Sequence, residues 1–284
     1  VMAVFYDVLT SPAFREDKLS LAKQQMASAI LRRNDDADSI AGREYASIVY
    51  GRDNPYGWRI ELADIANIRR DDVVAFYKRY FFPRNIMLAI YGDFSAPAMR
   101  AKLETLFGGW NYEQPPVPAF PPLSAKAAPG IYLAAKDDVN QTFFSLGHIG
   151  GVLKDRDTAA LEIMADILGG GFSSRLFKRV RTQLGYAYGI GASWGVDYDH
   201  PGLVQISGST KSASTVDTLR VVREEIERIR TTPVSDEELK IAKDTVLNGF
   251  VFAFDTPAKT LSRILRYEYY GYPRDFIFDY QKAI

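Results

Sequence analysis

Gly169-Gly170-Gly171-Phe172-Ser173-Ser174-Arg175-Leu176-Phe177-Lys178-Arg179-Val180-Arg181-Thr182-Gln183-Leu184-Gly185-Tyr186-Ala187-Tyr188 decides how this chain is read, because it joins pliable backbone, a short amphipathic helix and the start of a strand. Three successive glycines permit positive φ and close backbone approach. Ser173 then reads as the N-cap of a helix running to Leu184, and Gly185 as its stop. Phe172, Leu176, Val180 and Leu184 recur every four residues and form the expected buried stripe, leaving Arg175, Lys178, Arg179 and Gln183 facing water. Arg181 falls between the two faces, close in azimuth to Phe177 and Leu184, so its stem runs along apolar surface while its guanidinium emerges. Tyr188 opens the following strand. A guanidinium and a phenol converging from a helix end and a strand start can hold a peptide carbonyl and stabilise an oxyanion. The same two residues also suit plain packing, with Arg181 favoured by the helix C-terminus and Tyr188 filling a core. This stretch alone leaves both readings open.

Working outward, strands are expected at Gly130 to Ala135, Thr142 to His148, Tyr186 to Trp194 and Gly202 to Ser209, with helices from Asp155 to Leu168 and Ala213 to Arg230. Strands gather first and helices later, which indicates an α+β fold with helices on one face of a mixed or mainly antiparallel sheet. Upstream, Asp71 to Tyr80 reads as a helix and Asn85 to Asp93 as a strand. The run Gln114-Pro115-Pro116-Val117-Pro118-Ala119-Phe120-Pro121-Pro122 suits neither a helix nor a central strand, since proline has no N–H to donate and clashes with a preceding turn. It is a semi-rigid linker.

The chain also repeats itself. Leu21-Ala22-Lys23 laid on Ile241-Ala242-Lys243 gives an offset that also pairs Arg43 with Arg263 and Tyr50-Gly51 with Tyr270-Gly271. Each copy reads as an acidic cap, a long helix, a break near Asp35-Asp36 or Asp255-Thr256, and a second helix ending in Tyr-Gly. In the second copy Ser235 and Glu238 have capping-box spacing. The organisation expected is 1–112 as the later part of a first repeat domain, 113–129 as the linker, and 130–284 as a second repeat domain lacking its last helix and strand. On this reading the chain is a fragment truncated at both ends.

Composition bounds the function classes. Of 284 residues 47% are hydrophobic and 25% charged, enough for a real core. Thirty-five basic and 35 acidic residues cancel, which argues against a nucleic-acid partner recognised through net charge. No apolar run has the length of a membrane span. The chain has no cysteine, which removes disulfides and thiolate chemistry and fits any compartment. Its two histidines, His148 and His200, stand in unlike contexts without an i+4 partner, so a helical H-x-x-E-H zinc motif is missing. Asp35, Asp36 and Asp38 read as a solvated helix break, because they lack the spacing and glycine of a calcium loop.

Leu168 to Phe177, followed by Arg181, Leu184-Gly185 and Ala187-Tyr188, resembles the second-domain signature of the pitrilysin/insulinase zinc metallopeptidases, in particular the bacterial branch similar to the mitochondrial processing peptidase. Asn54-Pro55-Tyr56-Gly57, Phe76-Tyr77, Tyr80 to Asn85 and Tyr91-Gly92-Asp93 resemble the end of that family's first domain. The resemblance implies tandem homologous domains of the LuxS/MPP-like metallohydrolase type facing each other across a peptide chamber. It also implies that Arg181 and Tyr188 bind the substrate carbonyl, beside a substrate-binding loop of Gly169, Gly170, Gly171, Phe172 and Ser173. Active members carry H-x-x-E-H in the first domain and a glutamate as third zinc ligand in a later helix. In this alignment Ala22 occupies that glutamate's place, with Glu16 more than one helical turn away.

What the resemblance implies is therefore a non-catalytic, substrate-binding subunit or half of a heteromeric peptidase, inactive by itself. It carries no metal or cofactor of its own, and zinc is held in a partner subunit or in a segment outside this chain. Expected partners are a peptide or unfolded polypeptide and a zinc-bearing homologous subunit, with no nucleic acid and no membrane span. Two alternatives stand beside it. One is an active zinc endopeptidase whose H-x-x-E-H lies upstream of residue 1; the other is a structural core-type subunit of a larger complex.

Overall fold

The computed structural model describes residues 2–123 and 127–284. The part of the expected linker at 124–126 lies outside the described residues. In chain order the elements are α1 (Met2–Thr10), α2 (Glu16–Arg32), α3 (Ala37–Tyr50), α4 (Leu62–Asn67), α5 (Arg70–Tyr80), α6 (Ala96–Phe107), β1 (Gln141–Ile149), β2 (Gly151–Val152), α7 (Thr158–Gly169), a π-helix (Phe177–Gln183), β3 (Ala187–Trp194), β4 (Val196–Asp197), β5 (Leu203–Lys211), α8 (Thr215–Thr231), α9 (Asp236–Phe250), α10 (Pro257–Tyr270) and α11 (Phe276–Ala283). The fold is α+β, as the ordering of strands and helices indicated.

Two compact units form. The first comprises Val1–Arg32, Ile60–Phe120 and Thr256–Tyr269, the second Arg33–Arg59, Pro121–Asp255 and Tyr270–Ile284. The second helix of the earlier pair, α3, thus falls in the second unit, and α10 of the later pair falls in the first. Each repeated pair still ends as its Tyr-Gly predicts: Gly51 and Gly271 both have positive φ, 85° and 70°, a conformation glycine adopts without a Cβ clash.

The first unit is helical. Tyr77 of α5 donates to the Leu9 carbonyl at 2.7 Å and packs edge-on against Phe14. Lys23 of α2 donates to the carbonyls of Ala66 and Ile68, which lie at the C-terminal end of α4. Ile65, Phe82 and Tyr267 are its buried apolar side chains. Arg79 donates to the carbonyls of Pro115 and Pro116, so the proline-rich segment is held by side-chain donors.

The second unit holds the sheet. β1, β5 and β3 form an antiparallel sheet in the order β1-β5-β3, with Gln141 opposite Lys211 and Ile149 opposite Leu203. A register shift lies between Ala187 and Gly189 in the β3–β5 pairing, leaving Tyr188 as the extra residue. Phe144, Leu168, Leu176, Val180, Ile190, Ile206 and Val222 make the main core. A second cluster, Ala159, Ile163, Ile167, Ala242 and Ile284, joins α7, α9 and the end of α11. Against the sheet, Tyr45 and Tyr50 of α3 donate to the carbonyls of Val204 and Pro201.

Several expectations are corrected. Asn85 to Asp93 and Gly130 to Ala135 form no strand, and Ile131 and Leu133 are 86% and 93% exposed. Apolar alternation gives a strand only where another backbone supplies the ladder, and no described strand pairs with either segment. The helix after the glycines starts at Arg175, later than a Ser173 cap requires. Ser174 there turns its hydroxyl back to the Gly171 carbonyl at 2.6 Å.

Candidate functional site

The three glycines meet different surroundings. Gly169 ends α7 buried against β3, where a Cβ would come within 2.6 Å of the Ala192 Cβ, so glycine permits the helix to lie close to the strand. A Cβ on Gly170 would collide with the Asp166 carboxylate, whereas one on Gly171 would meet nothing. None of the three has positive φ. Beyond them Phe172 and Ser173 are exposed, Phe172 by 79%. This corrects the expected stripe: Leu176 and Val180 are fully buried, while Phe172 stands outside and packs edge-on on Phe177, ring centroids 4.9 Å apart.

From Phe177 the helix widens into π geometry, with Leu184 N–H donating to the Arg179 carbonyl five residues back. Gly185, φ 64°, then turns the chain into β3, and its N–H donates to the Arg181 carbonyl at 3.1 Å. These two turns bring Arg181 and Tyr188 together. The Arg181 guanidinium carbon lies 4.7 Å from the Phe177 ring centroid and 5.2 Å from that of Tyr188, within cation–π range of both. Tyr188, the extra residue of the strand, is 80% exposed. Among the described residues neither the guanidinium nor the phenol makes a hydrogen bond to protein, so their donors are open to a ligand or to water. The arrangement presents a fixed positive charge and a hydroxyl on one exposed face, a combination that can grip a carbonyl or carboxylate oxygen.

Sequence reasoning placed Arg175 in water, and the structure corrects this. Its side chain is 8% exposed and forms a two-pronged pair with Glu238, Nε to Oε1 at 2.6 Å and Nη2 to Oε2 at 2.9 Å. Those bonds hold the Glu238 carboxyl well below its usual range, at about 2. The expected capping box is present in the same place, with Ser235 Oγ accepting from Glu238 N–H and Glu238 accepting from Ser235 N–H. A carboxyl-containing pair at this end of a fold is invisible to periodicity, because its partners lie 63 residues apart.

A second ionisable group was missed. Glu162 of α7 accepts from the Tyr280 hydroxyl of α11, and burial pushes its carboxyl up to about 7. Nothing in its local pattern marks it, since an exposed helical glutamate reads the same.

Among the described residues no group of three or more His, Cys, Asp or Glu is arranged to hold a metal ion. His148 contacts the Ile149 carbonyl through Nδ1. His200 stacks on Tyr56, ring centroids 3.6 Å apart, with Asp199 at 2.8 Å from Nδ1. Asp36 is occupied as the N-cap of α3, accepting from Ser39 N–H at 2.7 Å. No described helix is long and apolar enough to cross a membrane.

The family model described as the Peptidase M16 inactive domain matches residues 67–246, and the chain belongs to that family. It is 26% identical, over 95% of its length, to the non-peptidase homolog YmxG of Helicobacter pylori. It is 23% identical, over 92% of its length, to an uncharacterized zinc protease of Mycobacterium leprae. The chain spans 62% and 59% of these two relatives, respectively. Among solved structures, the peptidase M16 inactive domain from Pseudomonas fluorescens superposes with a TM-score of 0.82 at 23% identity, covering 98% of this chain and 66% of that one. A protease from Helicobacter pylori gives 0.79 at 18% identity, covering 99% and 68%.

Proposed function

We propose that this protein is the non-catalytic, substrate-binding part of a heteromeric zinc-dependent peptidase, in which Arg181 and Tyr188 grip the carbonyl of the bond to be cleaved. The observation that carries this reading is the guanidinium poised over the Tyr188 ring with its N–H donors and the phenol unengaged by protein. Membership of an inactive-domain family and likeness to a protein named as a non-peptidase homolog support the non-catalytic side of it.

The substrate is a peptide or unfolded polypeptide. Its backbone lies along the exposed face beside Gly170, Gly171, Phe172 and Ser173, with Phe172 offering an aromatic surface to a side chain, while Gly169, buried against β3, only supports that loop. As the carbonyl becomes tetrahedral its oxygen gains negative charge, and a fixed guanidinium and hydroxyl stabilise that charge more than the neutral ground state. Zinc belongs to a homologous partner subunit or to another segment of the whole protein, and no step is assigned to this chain's residues through it.

The test is Arg181→Ala in the assembled peptidase with a peptide substrate. Loss of one such donor should lower kcat by about 10²- to 10³-fold. Unchanged turnover would refute the role. An intact H-x-x-E-H elsewhere in the same polypeptide would move the zinc into this protein while leaving Arg181 and Tyr188 their task.

A further inference from the structure

The clamp's guanidinium sits near the end of a helix whose beginning is fastened by a different arginine. Arg175, Leu176 and Val180 are all buried, and only Arg175 among them is fixed by directed bonds. Glu238, which receives that two-pronged grip, also accepts from Ser235 N–H at 2.9 Å and Ser235 Oγ at 3.2 Å, so the carboxylate is pinned to the first turn of α9. α9 is in turn seated by Ala242, 1% exposed, in the apolar cluster it shares with α7. From α8, the buried Glu225 brings a second negative charge that favours the charged state of Arg175. Arg175 Nη1 and Glu225 Oε2 are both buried without a hydrogen-bond partner in the described residues.

From this arrangement we infer that the Arg175–Glu238 pair is the positioning device for Arg181: it fixes the entry of the helix in direction and rotation, and so sets where the guanidinium stands over Tyr188. The inference rests on the role proposed above for Arg181. Apolar contacts at Leu176 and Val180 are non-directional and tolerate small rotations, whereas a two-pronged pair has one geometry. Buried ion pairs often add little net stability compared with apolar residues of the same volume, so what this pair supplies is orientation. Arg175 touches no reacting atom on this account and is a positioning residue.

The experiment is a double-mutant cycle on kcat/KM in the assembled peptidase. Arg175→Met and Glu238→Gln are each made in the wild-type and in the Arg181→Ala background. If the pair acts through Arg181, each lowers kcat/KM by about ten- to a hundredfold in the first background, mostly in kcat, and causes almost no further loss in the second. Tyr45→Phe, which removes a hydrogen bond from α3 to the Val204 carbonyl and touches neither Arg175, Glu238 nor Arg181, should lower thermal stability and keep kcat/KM. Glu238→Gln retains an oxygen for the Arg175 guanidinium and gives a result should Arg175→Met fail to fold. Equal losses in both backgrounds would overturn the inference in favour of general destabilisation. So would unchanged kcat/KM in an enzyme that Arg181→Ala alone impairs. If Arg181→Ala itself has no effect, the clamp reading falls, and this inference with it.

Discussion

Replacing Glu162 by Gln should change how the protein's stability depends on pH. Glu162 is held between α7 and α11, and burial raises its carboxyl from the usual 4.5 to about 7. Below 4.5 it is protonated in the folded and unfolded chain alike and contributes nothing to the pH dependence. As pH rises from 4.5 towards 7, the unfolded chain releases this proton while the folded one keeps it, so stability declines across that window and levels off above it. At about 1.4 kcal/mol per pH unit for one proton, the full decline is about 3 kcal/mol. The carboxyl is only partly buried, and solvent screening brings the figure to about 2 to 3 kcal/mol. Glutamine keeps the volume and an oxygen for Tyr280, and it carries no charge to bury. Urea denaturation of the wild-type and Glu162→Gln proteins between about pH 4.5 and 8 reads the difference. The variant should gain on the wild type as pH rises, by up to about 3 kcal/mol above pH 7. Two curves that stay parallel over the whole range would show that this carboxyl is not protonated in the folded state, and the reasoning would fail.

The remaining expectations concern the frame of the site. Leu176→Ala removes a fully buried side chain from the main core and should cost about 2 to 5 kcal/mol by chemical denaturation, with Arg181 losing its support as a consequence. Gly169→Ala forces a methyl into Ala192 of β3 and should cost at least about 1 to 3 kcal/mol, whereas Gly171→Ala, with open space above it, should leave stability within about 1 kcal/mol. A Gly169→Ala protein as stable as wild type would contradict the close helix–strand packing. In the activity assays, Arg181→Ala and the Arg175 and Glu238 cycle test the clamp and its mount as set out above.

Part of the fold and of the site is legible in the order of residues. The capping box at Ser235 and Glu238, the Tyr-Gly helix stops at Gly51 and Gly271, the turn at Gly185 and the helix over residues 71–80 rest on interactions within a few residues, and the sequence carries both partners of each. The approach of Arg181 to Tyr188 belongs to the same class, because one helix end, one glycine turn and one strand start separate them. The expected strands at 85–93 and 130–135 failed for the opposite reason: alternation describes a face, and a ladder requires a second backbone. Phe172 and Arg175 exchanged the roles assigned to them, since periodicity ranks side chains by apolarity and cannot see a carboxylate arriving from 63 residues away.

What the amino-acid sequence determined unaided is local and covalently close: the α+β order, the capping box at Ser235, the stops at Gly51, Gly185 and Gly271, and a basic and a phenolic side chain flanking one glycine turn. Tertiary structure alone decided which helix packs in which compact unit, that the helix bearing Arg181 winds as a π-helix, that Arg175 is buried on Glu238, and that burial pushes the Glu162 carboxyl up to about 7. The physical reason is range. Hydrogen bonds between near neighbours are written in the order of residues, while burial and charge depend on surroundings that exist only once distant segments have met.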